Sequence, residues 1–250
     1  MVNFSGVPLS DVAKAELTPT GVLRAGVNMG NFLLVTGRTP DGDPDGVSPD
    51  MARAIAARLG VTLQLLPFKS PGEVADAAGT NTWDIALIGA EPQRAEQIEF
   101  SPAYVEIEAT YLVPPGSSLR TVAEVDRPGV RIAVSARSAY GLWLERNIRH
   151  ATLVGLEAGQ NVFEHFVANG LEAYAGLRPG LAEDAQKLPG ARILDGQFAA
   201  VQQAVGTAKV NAAGAAFLRA FVGEAKASGF VAGLIAKHGV QGRLSVAPPA

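Results

Sequence analysis

The chain has no cysteine. That absence excludes disulfides, thiolate nucleophiles, zinc–thiolate sites and iron–sulfur ligation in one step. It fixes no compartment, because a thiol-free chain is compatible with either redox environment. Histidine is scarce: His150, His165 and His238 include no pair spaced three or four residues apart, so no helical metal pair forms, and all three read as surface residues. Charged residues make up only 18% of the chain and the formal net charge is -3, so no basic field recruits nucleic acid or an anionic membrane. No run approaches the roughly 18 uninterrupted apolar residues of a membrane span. The richest windows, Ile85–Ala90 and Ala212–Val222, are far shorter. Met1–Ser10 has no basic start, and Asp11, Lys14 and Glu16 break the apolar residues beside it, so this stretch does not read as an export signal. Gly-x-Ser-x-Gly elbows and Walker loops are both missing, and no cofactor is expected.

What is present is a globular composition, 48% hydrophobic over 250 residues, enough for one or two domains. Leu23–Val27 reads as a short strand after the turn Thr18-Pro19-Thr20-Gly21. A Gly-, Pro- and Asp-rich loop follows, then a helix over 50–59 with Met51, Ile55 and Leu59 at four-residue steps and Gly60 as its stop. Val61–Pro67 is the next strand, Ser70-Pro71-Gly72-Glu73 a capping box opening a short helix, and Trp83–Gly89 a third, nearly all-apolar strand. Alternation of this kind predicts a parallel sheet with crossover helices. After the Pro114-Pro115-Gly116-Ser117-Ser118 boundary the same grammar restarts, with strands at 130–135, 152–155, 172–176 and 191–194 and helices between them. Two helices end the chain, about 211–228 and 230–238, before a Pro-rich tail that is expected to fray. Two α/β lobes with a cleft between them follow from this pattern.

Three segments carry candidate chemistry. Gly89-Ala90-Glu91-Pro92-Gln93-Arg94 follows a buried strand, with Pro92 placed at the first turn of a helix. Backbone N–H groups and the Arg94 guanidinium there would form an anion site at the carboxyl edge of the sheet. A surface pair of Arg94 with Glu96 or Glu99 is the alternative. Ser135-Ala136-Arg137-Ser138-Ala139-Tyr140 repeats the strand–turn–helix pattern; Ser138 either contacts a ligand or simply caps, and Tyr140 is either a cleft wall or a helix-surface residue. Asn28-Met29-Gly30-Asn31-Phe32 is a loop at the carboxyl end of the first strand, where Phe32 fits a site or the core. Asp41-Gly42-Asp43-Pro44-Asp45-Gly46 imitates the start of a calcium loop, but its twelfth position is Ala52, so a solvated turn is the better reading and no metal site is expected.

Leu23-Arg24-Ala25-Gly26-Val27, the run Asp45–Val61, Trp83-Asp84-Ile85-Ala86 and Pro92–Tyr104 together resemble the family 3 extracellular solute-binding proteins, the amino-acid-binding components of bacterial ABC importers. The resemblance covers about residues 20–240 and is most specific over 84–104. It implies an α/β, type II periplasmic-binding fold of two lobes, each a mostly parallel sheet flanked by helices, closing on a ligand by a hinge. Lobe 1 would comprise residues 1–113 and 205–250, and lobe 2 residues 114–204. It further implies a monomer in the periplasm, although the N-terminal stretch by itself would leave the chain in the cytosol. Its partners would be a small-molecule carboxylate or zwitterion and an ABC transporter permease, with no nucleic acid and no membrane insertion.

By the same resemblance Arg94 matches the α-carboxylate clamp, and Glu91 stands where the family usually has Thr. Asn28, Asn31 and Phe32 match the lobe-1 loop, and Ser138 and Ala139 match the lobe-2 turn that completes the carboxylate site. Gly89 and Tyr140 complete the expected lining. The family aspartate that binds the α-amino group should follow 172–176, where this chain has Leu177-Arg178; Arg178 would then be a second positive contact. The resemblance extends to cyclohexadienyl and arogenate dehydratases. For a lyase of that kind Glu91 and Glu172 are the acids that can be nominated, which keeps an enzyme open beside a binding protein.

Overall fold

The computed structural model describes residues 4–249. The chain divides into two compact units, the first up to Glu106 and again from Gln202, the second Ile107–Val201. The element order is α1 (Asp11–Leu17), β1 (Val22–Asn28), β2 (Gly37–Arg38), β3 (Pro44–Asp45), α2 (Val47–Leu59), β4 (Thr62–Phe68), α3 (Pro71–Asp76), β5 (Ile85–Gly89), β6 (Ile98–Phe100) and β7 (Val105–Val113). It continues β8 (Arg131–Ser135), α4 (Ala139–Asn147), β9 (Thr152–Leu156), α5 (Val162–Ala168), β10 (Ala173–Leu177), α6 (Arg178–Ala185), β11 (Arg192–Ile193), β12 (Ala199–Ala208), α7 (Ala212–Ala227), α8 (Phe230–Lys237) and β13 (Ser245–Val246).

In the first unit β4, β1 and β5 are parallel neighbours in that order. β12 runs antiparallel along β5, and β6 along β12. β5 is buried throughout, as its apolar run predicts. α2 supplies the wide apolar face, with Met51, Ile55 and Leu59 all at 1% exposure or less, and Gly60 closes it in the left-handed region at φ +67°. Its start depends on Gly46: a Cβ there would lie 2.3 Å from the Leu34 carbonyl oxygen, so the loop ending at Leu34 passes over the helix entrance with room for glycine only. α3 opens as its sequence predicts, with Ser70 Oγ accepting from Glu73 N, while the Glu73 carboxylate accepts from Lys69 N. α1, unrecognised in the sequence, is capped by Ser10 and buries Ala13 and Leu17.

The second unit repeats the plan. β9, β8 and β10 are parallel neighbours, with β7 antiparallel to β10 and β11 antiparallel to β7. Its core gathers Tyr111, Val125, Ile132, Val134, Leu144 and Leu194 on one face, and Phe166, Leu171 and Leu181 on the other.

Three expectations change. The unit boundaries fall inside β7 and β12, at 106/107 and 201/202, rather than at 113/114 and 204/205. β7 is one continuous nine-residue strand, so the Pro114-Pro115-Gly116 turn ends it instead of dividing the chain there. The helix expected from Pro92 is a single 3-10 turn, Arg94–Glu96, because β6 begins at Ile98. The tail does not fray through Ala247: β13 pairs with β7, Ser245 opposite Glu106, and Leu244 and Ala247 are buried.

Candidate functional site

In the first unit, Val27 lies opposite Leu87 in the parallel β1–β5 pair, so the segments leaving the two strands emerge side by side at the carboxyl edge of the sheet. In the first of these, 28–32, the two amide side chains build the turn. Asn28 Oδ1 accepts from Gly30 N at 3.0 Å, and buried Asn31 Oδ1 accepts from Leu33 N at 3.2 Å. Phe32 stays 41% exposed, with the Arg243 guanidinium carbon 5.4 Å from its ring centroid. Arg243 went unrecognised in the sequence because it sits in the tail read as frayed.

In the second segment, Gly89 is paired with Gln203 across β5 and β12, and Ala90 N donates to Gln202 O at 2.7 Å. The Ala90 amide is therefore used within the unit and is not one of the anion donors expected at 89–91. Glu91 is half-buried, and its carbonyl accepts from Ala95 N at 2.9 Å. Arg94 is only 5% exposed, and its Nη1 donates to Gly89 O at 2.7 Å. A surface position for this guanidinium is thus excluded; Glu99, one of its proposed surface partners, lies 3.6 Å from Arg219. The tight 3-10 turn brings residue 94 back over the strand end it has just left, and the carbonyl fixes the plane of the guanidinium.

In the second unit, β8 ends at Ser135 and the chain turns through Arg137, a non-glycine residue in the left-handed region at φ +59°. Ser138 caps α4: its Oγ accepts from Gly141 N at 3.0 Å and donates to Ser135 O at 2.7 Å. A Cβ on Gly141 would stand 2.7 Å from Ser135 O, so this narrow turn requires glycine. The Ser138 hydroxyl is engaged within the turn, by Gly141 N, Ser135 O and the Tyr140 side chain, which leaves the first-turn backbone amides, Ala139 among them, as the groups presented at this helix end. Tyr140 is half-buried on the cluster of Ala109, Ala139 and Val201, not a free surface residue, and burial raises its hydroxyl pKa against opposing side-chain hydrogen bonds with Ser138 and Ser135.

Arg178 opens α6, but its Nε donates to Glu108 Oε2 at 2.5 Å and its Nη2 to Gly196 O. Its expected role as a second ligand cation is met by a carboxylate of its own unit. Glu172 precedes β10, at the end of the strand away from Leu177, and is gripped by Arg131, which holds its carboxyl below the usual range. It lines a hollow of about 210 Å³ with Pro114, Leu119, Arg127 and Leu171. The Arg131 ion pair and its place at the amino end of β10 set Glu172 apart from the segments at the carboxyl edge.

His238 corrects the surface reading of the histidines. Its side chain is 5% exposed, and its Nε2 lies 2.7 Å from Asp50 Oδ2. The end of α8 turns this ring onto the first turn of α2, where Lys237 Nζ also reaches Asp50 Oδ2 at 2.7 Å and Arg53 Nη1 reaches Oδ1 at 2.8 Å. Asp45, Asp50 and His238 each bring a ligand atom within 4.8 Å of the others. With both Asp50 oxygens taken by cations, this is an ion-pair network joining two helices, not a cation site. The Asp-rich turn before it is the β2–β3 hairpin, with Arg38 Nη1 on Gly42 O.

The profile of the bacterial extracellular solute-binding proteins, family 3, matches residues 24–241. The chain belongs to that family. Among curated relatives, it is 27% identical over 156 residues to a cyclohexadienyl dehydratase of Pseudomonas aeruginosa; the match spans 61% of this chain and 58% of that protein. Among solved structures, a mutant of ArgBP from T. maritima superposes with a TM-score of 0.72 at 20% identity, covering 92% of this chain and 100% of the other. An amino acid ABC transporter substrate-binding protein of Streptococcus pneumoniae bound to L-arginine gives 0.72 at 20% identity, covering 94% and 99%. These likenesses show the type II periplasmic-binding fold, an α/β architecture, for this family 3 solute-binding chain. Among the described residues no helix is long and apolar enough to cross a membrane.

Proposed function

We propose that this chain captures a small carboxylate-bearing metabolite, amino-acid-like or another organic acid, by hinge closure, as the periplasmic substrate-binding component of an ABC-type importer. The observation that carries this reading is Arg94: a guanidinium 5% exposed, oriented by the Gly89 carbonyl, on the turn that leaves β5. A positive charge built into an apolar unit at the carboxyl edge of its sheet favours an anion with planar, two-oxygen geometry. The amides that begin α4 offer a second set of donors. Capture needs no covalent step. A thermal-shift and calorimetry screen of amino acids, keto acids and dicarboxylates, repeated on Arg94→Ala, tests it. The expected result is one chemical class that binds the native chain and is lost in the variant. An affinity unmoved by Arg94→Ala overturns the clamp.

The relationship to a cyclohexadienyl dehydratase favours a second reading, a lyase on the same scaffold. With Glu172 bound to Arg131, Glu91 is the acid left to that reading. Incubation of concentrated protein with prephenate and with arogenate separates the two: product formation supports the lyase, and its absence removes it.

A further inference from the structure

We infer that residues 244–247 are a strap that fixes where β7 bends as the two units move, confining the bend to Ile107 and Glu108. This rests on the hinge-closure reading above, takes from it only that the units move, and names what sets the bend.

The chain passes between the units twice, in β7 at 106/107 and in β12 at 201/202. β12 runs beside one edge of β7 on both sides of that boundary. In the first unit Tyr104 N, just before β7, donates to Gln203 O at 2.9 Å, and in the second Phe198 N donates to Ala109 O at 3.0 Å. A side-chain bond, Gln202 Nε2 to Glu106 Oε2 at 3.0 Å, ties the two strands where the first unit leaves off and resumes. The other edge of β7 is shared. The first unit holds it through β13, with Val246 opposite Val105 and Ser245 opposite Glu106. The second unit holds it through β10, whose Leu177 lies opposite Ala109. Ile107 and Glu108 fall between these two ladders. A strand paired on both edges resists bending, because a bend stretches its ladder hydrogen bonds, so bending concentrates where one ladder stops. With β13 in place that stretch is two residues, 107–108; without β13 it runs back to Val105 and is four residues, 105–108.

The strap has anchors of its own in the first unit. Leu244 is buried, Arg243 N donates to Val240 O at 3.2 Å, and Lys226 Nζ on α7 donates to Pro248 O at 2.8 Å. Buried Ala247 donates its N–H to Tyr104 O at 3.1 Å. Tyr104 is in turn fixed: its side chain is fully buried, and its hydroxyl lies 2.7 Å from Ser48 Oγ in the first turn of α2. The strap thus clamps the start of β7 to the body of the first unit up to the last residue before the boundary.

The chain has no cysteine, so nitroxide labels attach only where cysteine is introduced. Double electron–electron resonance without any ligand tests the strap on two labelled pairs. One joins Val210→Cys and Val167→Cys, exposed positions in the first and second units; the other joins Val210→Cys and Val12→Cys, both exposed in the first. Each pair is measured on the otherwise native chain, on Ala247→Pro, which removes the donor to Tyr104 O, and on the milder Leu244→Ala, with circular dichroism melts confirming that each protein is folded. In Ala247→Pro the between-unit distance distribution should widen toward about 1.4-fold, the square-root growth expected when four residues bend in place of two. Leu244→Ala should widen it less, and the within-unit distribution should stay as it is in both variants. An unchanged between-unit distribution in both variants overturns the strap. Equal widening of both pairs also overturns it, by making the segment a general support of the first unit. A native between-unit distribution as narrow as the within-unit one overturns the hinge as well. No ligand enters this experiment, so the carboxylate clamp is judged separately, by the calorimetry on Arg94→Ala.

Discussion

Arg24 and Asp84 lock β1 to the residue that precedes β5. Arg24 N and Nε donate to Asp84 Oδ2 at 2.8 and 3.0 Å, and Nη2 donates to Oδ1 at 2.6 Å. The second unit repeats this bond for bond, with Arg131 N and Nε on Glu172 Oε2 at 2.8 and 2.9 Å and Nη2 on Oε1 at 2.8 Å. In each unit an arginine at the amino end of the central strand anchors the acid before the third parallel strand. Both locks sit at the edge of the sheet remote from the Arg94 turn and from the start of α4. They therefore hold the two frames from the edge opposite the carboxyl-edge segments.

Burial separates the two locks energetically. The Asp84 side chain is 3% exposed and Arg24 17%, against 36% and 44% for Glu172 and Arg131. Asp84→Ala removes the carboxylate and leaves the Arg24 guanidinium the Asn81 carbonyl as partner, which should cost the more, about 3 kcal/mol. Glu172→Ala breaks a solvated pair and should cost markedly less. Urea unfolding of the two variants checks the order; equal losses would show that exposure does not control these pairs.

Acid should weaken the α2–α8 contact. Desolvation pushes the Asp50 pKa up, but hydrogen bonds from Lys237, His238 and Arg53 together outweigh it, and the carboxyl titrates below its ordinary value. A depressed folded-state pKa means that the stabilisation is fully present above the unfolded value near about 3.9 and is lost as pH falls through the folded value. The melting temperature of the native chain should thus fall more steeply than that of Asp50→Asn below about pH 4. Parallel curves for the two proteins in that window would contradict the ion-pair network.

Much of this frame was legible in the sequence because periodicity and punctuation agreed. Met51, Ile55 and Leu59 at helical spacing with Gly60 behind them define α2, and the apolar run ending at Gly89 defines β5. The failures share a cause, in that tertiary partners decide where local signals are short. Pro92 opens a helix only if the chain has room to continue, and β6 claims Ile98 four residues after Arg94. β13 is two residues long, too short for any alternation to show, yet it pins Arg243 beside Phe32. The pairing of His238 with Asp50 links residues 188 apart, and no local pattern announces it. Arg94 itself was visible from its place after a buried strand, whereas the commitment of Arg178 to Glu108 depends on a strand 70 residues earlier.

The clamp role proposed for Arg94 makes its own demand on chemistry. Arg94→Lys keeps the charge but loses the planar fork that the Gly89 carbonyl orients. Whichever carboxylate the screen identifies should bind about 10- to 100-fold more weakly to Arg94→Lys, the range expected for losing a charge-assisted hydrogen bond. Titration calorimetry gives the ratio directly. A lysine variant with native affinity would mean that charge alone, without geometry, holds the ligand.

The turn before α4 allows hydroxyl and amide roles to be separated. Ser138 Oγ is occupied by Ser135 O and Gly141 N, so Ser138→Ala removes a cap without removing a backbone amide from the helix end. It should cost about 1 kcal/mol of stability, the usual value of a serine cap, with ligand affinity changed by less than about threefold. Gly141→Ala acts on the same turn in the opposite sense. Its new Cβ would press on Ser135 O and Ser138 Oγ at 2.7 and 2.9 Å, so the turn must open and the first-turn amides must move. Affinity should then fall by about tenfold or more, because backbone donors, unlike the hydroxyl, have no replacement. Denaturant melts and calorimetry on the pair decide the matter: a large affinity loss in Ser138→Ala with little in Gly141→Ala would place the ligand on the hydroxyl and not on the amides.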